Sequence, residues 1–179
     1  MIPLTAFWLP ILVSSVFVFI ASNILWQALP FWHRSDYDQL PDDKTLIDSL
    51  VSVKSGQYLA PHGEWSKLPK EELEARMSRP MAFVLVRNPA RFSFPAAIIS
   101  YFIYILVVTT LIAYLASRAG RQPGALRMAA TAGMLAYAFN SIADSIWYGK
   151  PWKVTAKVFI DGMIYALITG ATFHWLWPH

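Results

Sequence analysis

Two long apolar runs, folded back on one another around the turn Tyr148-Gly149-Lys150-Pro151, constrain this chain more than any other feature. The runs cover residues 125–148 and 151–177, each longer than the roughly 20 residues a membrane helix needs. Yet they carry Asn140, Asp144, Lys157 and Asp161. A charge at the centre of a membrane helix costs about 2.5–3.5 kcal/mol on insertion scales, so such residues usually pair or face a polar interior.

Depth can be counted from the flanking tryptophans at about 1.5 Å per residue. Asp144 then lies roughly 4–5 Å inside Trp147, and Lys157 roughly 7–8 Å inside Trp152. Asn140 and Asp161 lie deeper, at roughly 10 Å and 13 Å. The expectation is that Asp144 faces Lys157 across the hairpin, with Asn140 and Asp161 one turn further in. Tyr137, Asn140, Ser141 and Asp144 share one helical face, and Lys157, Asp161 and Tyr165 share another. This cluster is either a structural salt-bridge network or a relay for protons or a polar ligand.

Composition agrees with a membrane class. Of 179 residues, 56% are hydrophobic and 15% charged, against roughly 25% charged in soluble domains. There is no cysteine, so disulfides, thiolate metal sites and cysteine nucleophiles are excluded. The formal charge of +4 is small and spread among loops, which speaks against a nucleic-acid partner.

The first span runs from about Thr5 to Leu29, 25 residues without a charge. No basic n-region precedes it and its apolar core exceeds the 7–15 residues of a signal peptide, so it reads as an uncleaved anchor. Ser14, Ser15, Ser22 and Asn23 give it a mildly polar stripe suited to helix packing. A polar cap of residues 30–94 follows. In it, Asp42 and Asp43 open a helix whose apolar face is Leu46, Ile47, Leu50 and Val51. Gly56–Ala60 is extended and closed by Pro61. A second short helix starts at Leu68-Pro69 and ends near Arg76, and Met81–Val86 is a β-branched strand bounded by Pro80 and Pro89. The second span covers 95–116. Gly149 terminates the third span at 148, and Pro151 opens the fourth. Trp147, Tyr148 and Trp152 mark one interface, with Trp175 and Trp177 at the other. The sequence thus predicts an all-α membrane protein of four transmembrane helices with a small α+β cap between helices 1 and 2.

Small residues recur at i, i+4 spacing as two ridges, Ala125-Ala129-Gly133 and Gly162-Ala166-Gly170. Such ridges let backbones close up in lipid, where apolar side chains gain little from meeting. Packing within the chain is the simpler account, and an interface with another membrane subunit or a second copy is the alternative.

Other chemistry is scarce. His33, His62, His174 and His179 show no His-xxx-His or Glu-xx-His spacing, so they read as isolated loop histidines and no metal or haem site is expected. No phosphate loop or nucleophile elbow occurs. Asp36, Asp38, Asp42 and Asp43 lack the central glycine and terminal glutamate of a calcium loop. No cofactor and no catalytic residue follow from these patterns.

The run Phe31-Trp32-His33-Arg34-Ser35-Asp36-Tyr37 with Leu40-Pro41, then Gly56-Gln57-Tyr58 with Pro61-His62, and the ending Thr172-Phe173-His174-Trp175-Leu176-Trp177-Pro178 resemble a bacterial group of small four-helix membrane proteins of unknown function. The resemblance implies a bacterial inner membrane and a cap rich in proline and tyrosine, but no activity. These patterns favour a non-catalytic subunit or scaffold of a membrane assembly; a proton, ion or small-solute transport module is the alternative, and an enzyme on lipid or quinone is least supported. Lysine and arginine number nine in 31–94 and three in 150–157, against Arg118, Arg121 and Arg127 opposite. The positive-inside rule then places the cap and the turn between helices 3 and 4 in the cytoplasm, with both termini outside.

Overall fold

A computed structural model describes residues 2–87, 92–118 and 124–178, and of Ala125 the backbone alone. It divides into two compact units. One holds 1–38 and 94–179, and the other holds 39–93.

In the first unit, α1 (Trp8–Asn23) follows a single 3-10 turn and runs on into a wide π turn at Ile24–Ala28. There the amide of Leu29 donates to the carbonyl of Ile24 at 2.9 Å. Leu29 leaves helical geometry, as a residue preceding proline tends to. Pro30 then opens the short α2 (Pro30–His33), where its missing N–H costs nothing. The chain therefore bends sharply just past the first span, which matters below.

The helix α5 (Phe94–Arg118), charged only at its last residue, starts beside Pro95, and α8 (Trp152–Trp175) starts after Pro151. Leu4–Ala28, Phe94–Arg118 and Trp152–Trp175 are long and apolar enough to cross a membrane. The expected third span is not one helix. It is α6 (Gly124–Tyr137), a 3-10 turn at Phe139–Ser141, and α7 (Ile142–Tyr148), each too short to span alone. Nothing in Ala138-Phe139-Asn140-Ser141 is a helix breaker. The break falls where α8 presses closest: a Cβ on Gly162 would lie 2.5 Å from the Ala138 Cα and from the Tyr137 carbonyl oxygen. Gly149, with φ of 69°, ends α7 in the left-handed conformation glycine tolerates.

α8 packs chiefly on α6 and also on α1, and α5 lies against α1 and α6. Glycines set the α6–α8 distance. A Cβ on Gly133 would meet the Ala166 backbone at 3.2 Å, and one on Gly170 would meet Ala130 at 3.2 Å. Ala129 and Ala166 are buried in the same contact, while the side chain of Ala125 lies outside the described residues. The serine stripe of α1 faces inward, and Ser15 shares a 2.6 Å hydrogen bond with Thr109 of α5. At one end Phe7 stacks on Phe173 and meets Trp177 edge-on, with centroids 6.2 and 5.0 Å apart. Trp177 is thus a core residue rather than the interfacial one its position suggests. Trp147, Trp152 and Trp175 are exposed.

The second unit is built from local signals. Asp42 accepts from the Thr45 amide at 3.0 Å and caps α3 (Asp43–Leu50). β1 (Gly56–Ala60) pairs antiparallel with β2 (Ala82–Val86), with Tyr58 opposite Val84. Between the strands, α4 (Lys70–Met77) carries Glu71 and Glu72 in its first turn and Arg76 in its last, matching its dipole. The cap expected over 30–94 is shorter at its start, because 30–38 belongs with the helices. Pro89 lies outside the described residues.

Candidate functional site

The bend at Leu29-Pro30 turns α2 and the 3-10 turn after it, Arg34–Asp36, back into the helical unit, and together they supply His33 and Asp36, half of a buried charge network. His33 is the centre. Its Nδ1 lies 2.5 Å from Asp36 Oδ2, and its Nε2 lies 2.8 Å from Asp161 Oδ2 on α8. The other Asp161 oxygen accepts from the Trp32 indole N–H at 2.8 Å. The other Asp36 oxygen accepts from Lys157 at 2.5 Å, and Lys157 also donates to Ser35 at 3.0 Å. Trp26 stacks on the imidazole with centroids 3.8 Å apart, and the Lys157 ammonium sits 6.0 Å from the Trp32 ring centre. The side chains of Asp36 and Asp161 are each 2% exposed.

The order along the network is Lys157, Asp36, His33, Asp161. A neutral imidazole has one N–H and can donate to one carboxylate only. With a carboxylate oxygen against each ring nitrogen, the network needs one further proton, held on the ring or on a carboxyl. Counting that proton, two carboxylates, one ammonium and one imidazole sum to zero charge. Neutrality is the state a low-dielectric surrounding favours. For Asp36, beyond the first span, burial pushes the carboxyl upward, but hydrogen bonds from His33 and Lys157 outweigh it and hold it below the usual carboxylate value.

Asp161 also borders a cavity of about 420 Å³ between α1, α5, α6 and α8. Its walls include Phe19, Trp26, Tyr101, Tyr104, Tyr137 and Tyr165, with Ser22, Asn23, Gln27 and Asn140 as further polar groups. No lysine, arginine or histidine is among its lining residues. Tyr137 and Tyr165 meet edge-to-face with centroids 6.0 Å apart. Their buried hydroxyls make no hydrogen bond, although Thr169 and Trp26 are neighbours.

The sequence-expected cluster is only partly assembled. Tyr137, Asn140, Asp161 and Tyr165 share the cavity. Asp144 does not meet Lys157. It is half-exposed and lies 4.0 Å from Lys150 in the turn, while Lys157 bonds Asp36 and Ser35. The hairpin is pinned instead by Ser145 and Thr155, whose hydroxyls lie 2.5 Å apart. Ser141 is buried, with its hydroxyl unpaired. Asn140 and Ser141 lie in the 3-10 turn at the break, and of the two only Asn140 lines the cavity. Matching depths said nothing about azimuth, and a carboxylate outside the hairpin won the lysine.

His33 was read as an isolated loop histidine, and the fold corrects this. Its sequence signal is Trp32-His33-x-x-Asp36 directly after a span, with His and Asp at i, i+3 on one helical turn. The imidazole stands between the two carboxylates, so they do not converge on a point. Among the described residues no group of three His, Asp or Glu side chains could hold a metal ion. The ridges Gly133 and Gly162-Ala166-Gly170 are occupied by the contact between α6 and α8.

No protein-family model, curated protein or solved structure matches this chain.

Proposed function

We propose that this chain is a multi-pass integral membrane protein that binds a small amphipathic solute in the cavity beside Asp161, as a transport or binding module rather than an enzyme. Three span-length helices support the membrane setting. So do large apolar side chains left uncovered on their outer faces, such as Val107, Leu111 and Leu167, which are 53%, 60% and 63% exposed. α6 and α7 together form a fourth, broken crossing, whose interrupted backbone is tolerable because it borders a cavity and packs on α8. The cap and the turn at Gly149 face the cytoplasm by the positive-inside rule. The resemblance to small bacterial four-helix membrane proteins gives the same setting, a bacterial inner membrane.

One observation carries the solute reading. A buried carboxylate, hydrogen-bonded to His33 and Trp32, borders a cavity walled by six aromatic side chains. A cavity of about 420 Å³ falls within the roughly 300–1,000 Å³ of small-molecule sites. A scaffold needs none of this.

The test is a thermal-stability screen of the full-length protein in maltoside micelles against soluble amphipathic solutes of each charge type. A solute at 100 times its Kd should add about 2.7 kcal/mol. Ile98→Trp and Ala97→Phe, which fill the cavity, should melt as wild type does without solute and lose the response. A response undiminished in both filled variants would show that the cavity is not the site.

A further inference from the structure

We infer that the solute of this cavity is a monovalent organic cation, and that it binds in exchange for the extra proton of the Asp36-His33-Asp161 network. This rests on the cavity being the binding site, and it names the class of solute and what binding displaces. The lining decides the charge. It holds one carboxylate, phenols, carboxamides and aromatic faces, and no basic side chain. An anion would find no counter-charge there. A cation finds the Asp161 carboxylate and the faces of Trp26, Tyr101 and Tyr104, the combination that recognises ammonium groups.

Charge balance supplies the exchange. The groups facing His33 are Asp36 on its own segment, Asp161 of α8, and the Trp26 and Trp32 rings, with Lys157 beyond Asp36. Tyr101, Tyr104, Tyr137 and Tyr165 line the same cavity as Asp161. The network is neutral with its extra proton, so adding a cation would leave a net charge in an apolar surrounding. Releasing that proton restores neutrality. In the step, the hydrogen bond between His33 Nε2 and Asp161 Oδ2 breaks and one proton leaves to solvent. His33 becomes neutral and keeps its Nδ1–H on Asp36. Its bare Nε2 lone pair then faces the Asp161 oxygen, which favours turning that carboxylate toward the cation, with Trp32 still donating to Oδ1. No redox partner is needed, and charge balances on both sides.

The probe is benzyltrimethylammonium, titrated calorimetrically into the full-length protein in maltoside micelles, in two buffers of different ionisation enthalpy. The expected result is release of about one proton per cation, and a Kd that tightens about tenfold per pH unit while the free network holds its proton. Choline should bind more tightly than its uncharged isostere 3,3-dimethylbutan-1-ol. Asp161→Asn, which removes both the carboxylate the cation meets and the need for the extra proton, should bind the cation at least about tenfold more weakly and release no proton. If that variant does not fold, the wild-type proton count decides alone. Binding without proton release would overturn the exchange. Equal binding of choline and the alcohol would overturn the cation while leaving the cavity as a solute site. No binding of any probe, with Ile98→Trp indistinguishable from wild type, would overturn both. The ammonium could belong to a free solute or a lipid headgroup, and added phosphatidylcholine separates the two. Competition by it, but not by phosphatidylglycerol, marks a lipid source; no competition by either marks a free solute, and both support the cation.

Discussion

His33 Nε2 lies 2.8 Å from Asp161 Oδ2, although 128 positions separate the two residues in the chain. The contact closes the segment after the first span onto the middle of α8, and with Trp32 it fixes both oxygens of a buried carboxylate. Removing the imidazole would leave Asp36 and Asp161 both without a partner on that side. Breaking a buried ion pair by deleting one member costs about 3–5 kcal/mol. His33→Ala should therefore melt far below wild type in micelles, and His33→Gln should recover much of the loss. Equal melting of His33→Ala and wild type would show that the network contributes no stability.

How much of this could be read from the sequence depends on how local each cause is. The cap elements follow from neighbours in the chain: Asp42 beside its helix, prolines at boundaries, a β-branched run. Three spans follow from hydropathy alone. The break at Ala138 was not legible, because it falls where Gly162 brings α8 closest, a contact across the helix pair and not a local signal. Asp161 stands out in the sequence as an intramembrane carboxylate needing a partner, but its partners His33 and Trp32 lie in a stretch that reads as cap. What brings them back is the π turn and Pro30, whose effect on direction is a matter of three dimensions.

Lys157 and Asp36 should behave as a pair, and Asp144 should not. Lys157→Met and Asp36→Asn should each destabilise, while the double variant regains part of the loss, since an unpaired buried charge is the costly state. Asp144→Asn touches only a half-exposed pair 4.0 Å apart, and exposed pairs contribute about 0–1 kcal/mol. Simple additivity of the two single losses at Lys157 and Asp36 would contradict the contact.

Acid should act through the same carboxylate. Burial pushes the Asp36 carboxyl upward, but hydrogen bonds from His33 and Lys157 outweigh it and hold it below the usual carboxylate value. A carboxyl whose folded pKa is depressed stabilises the fold above its unfolded pKa and loses that contribution as pH falls through the folded value. Melting temperature should fall on acidification below about pH 4, and Asp36→Asn should flatten part of that decline. An unchanged acid profile in the variant would place the sensitivity elsewhere.

Gly162 should be the least replaceable residue of the helix contact. An added Cβ would lie 2.5 Å from backbone atoms of Tyr137 and Ala138, which cannot swing aside. Overpacking of this kind costs about 1–3 kcal/mol or more. At Gly170 the nearest atom is the Ala130 Cβ at 3.2 Å, so Gly170→Ala should cost less. Melting both variants side by side checks the order, and a reversed order would mean that α8 sits differently on α6.

Topology offers the last expectation, and the absence of cysteine makes it clean to measure. If α6 and α7 together form a crossing, the chain passes the bilayer four times and successive connections alternate sides. Single cysteines at Ser66 in the cap and Lys153 beyond the turn should then share one face, with Thr5 and Gln122 on the other. The excess of lysine and arginine in 31–94 and in 150–157 makes the cytoplasm the expected side for the first pair. In intact cells an impermeant maleimide should label Thr5→Cys and Gln122→Cys, and reach Ser66→Cys and Lys153→Cys only after lysis. The reverse pattern would invert the orientation but keep four crossings. Labelling of Gln122→Cys and Lys153→Cys from the same side would mean that the broken segment does not cross. Asp161 would then lie in a helix whose partner α6 is re-entrant, and the cavity would open to one side only.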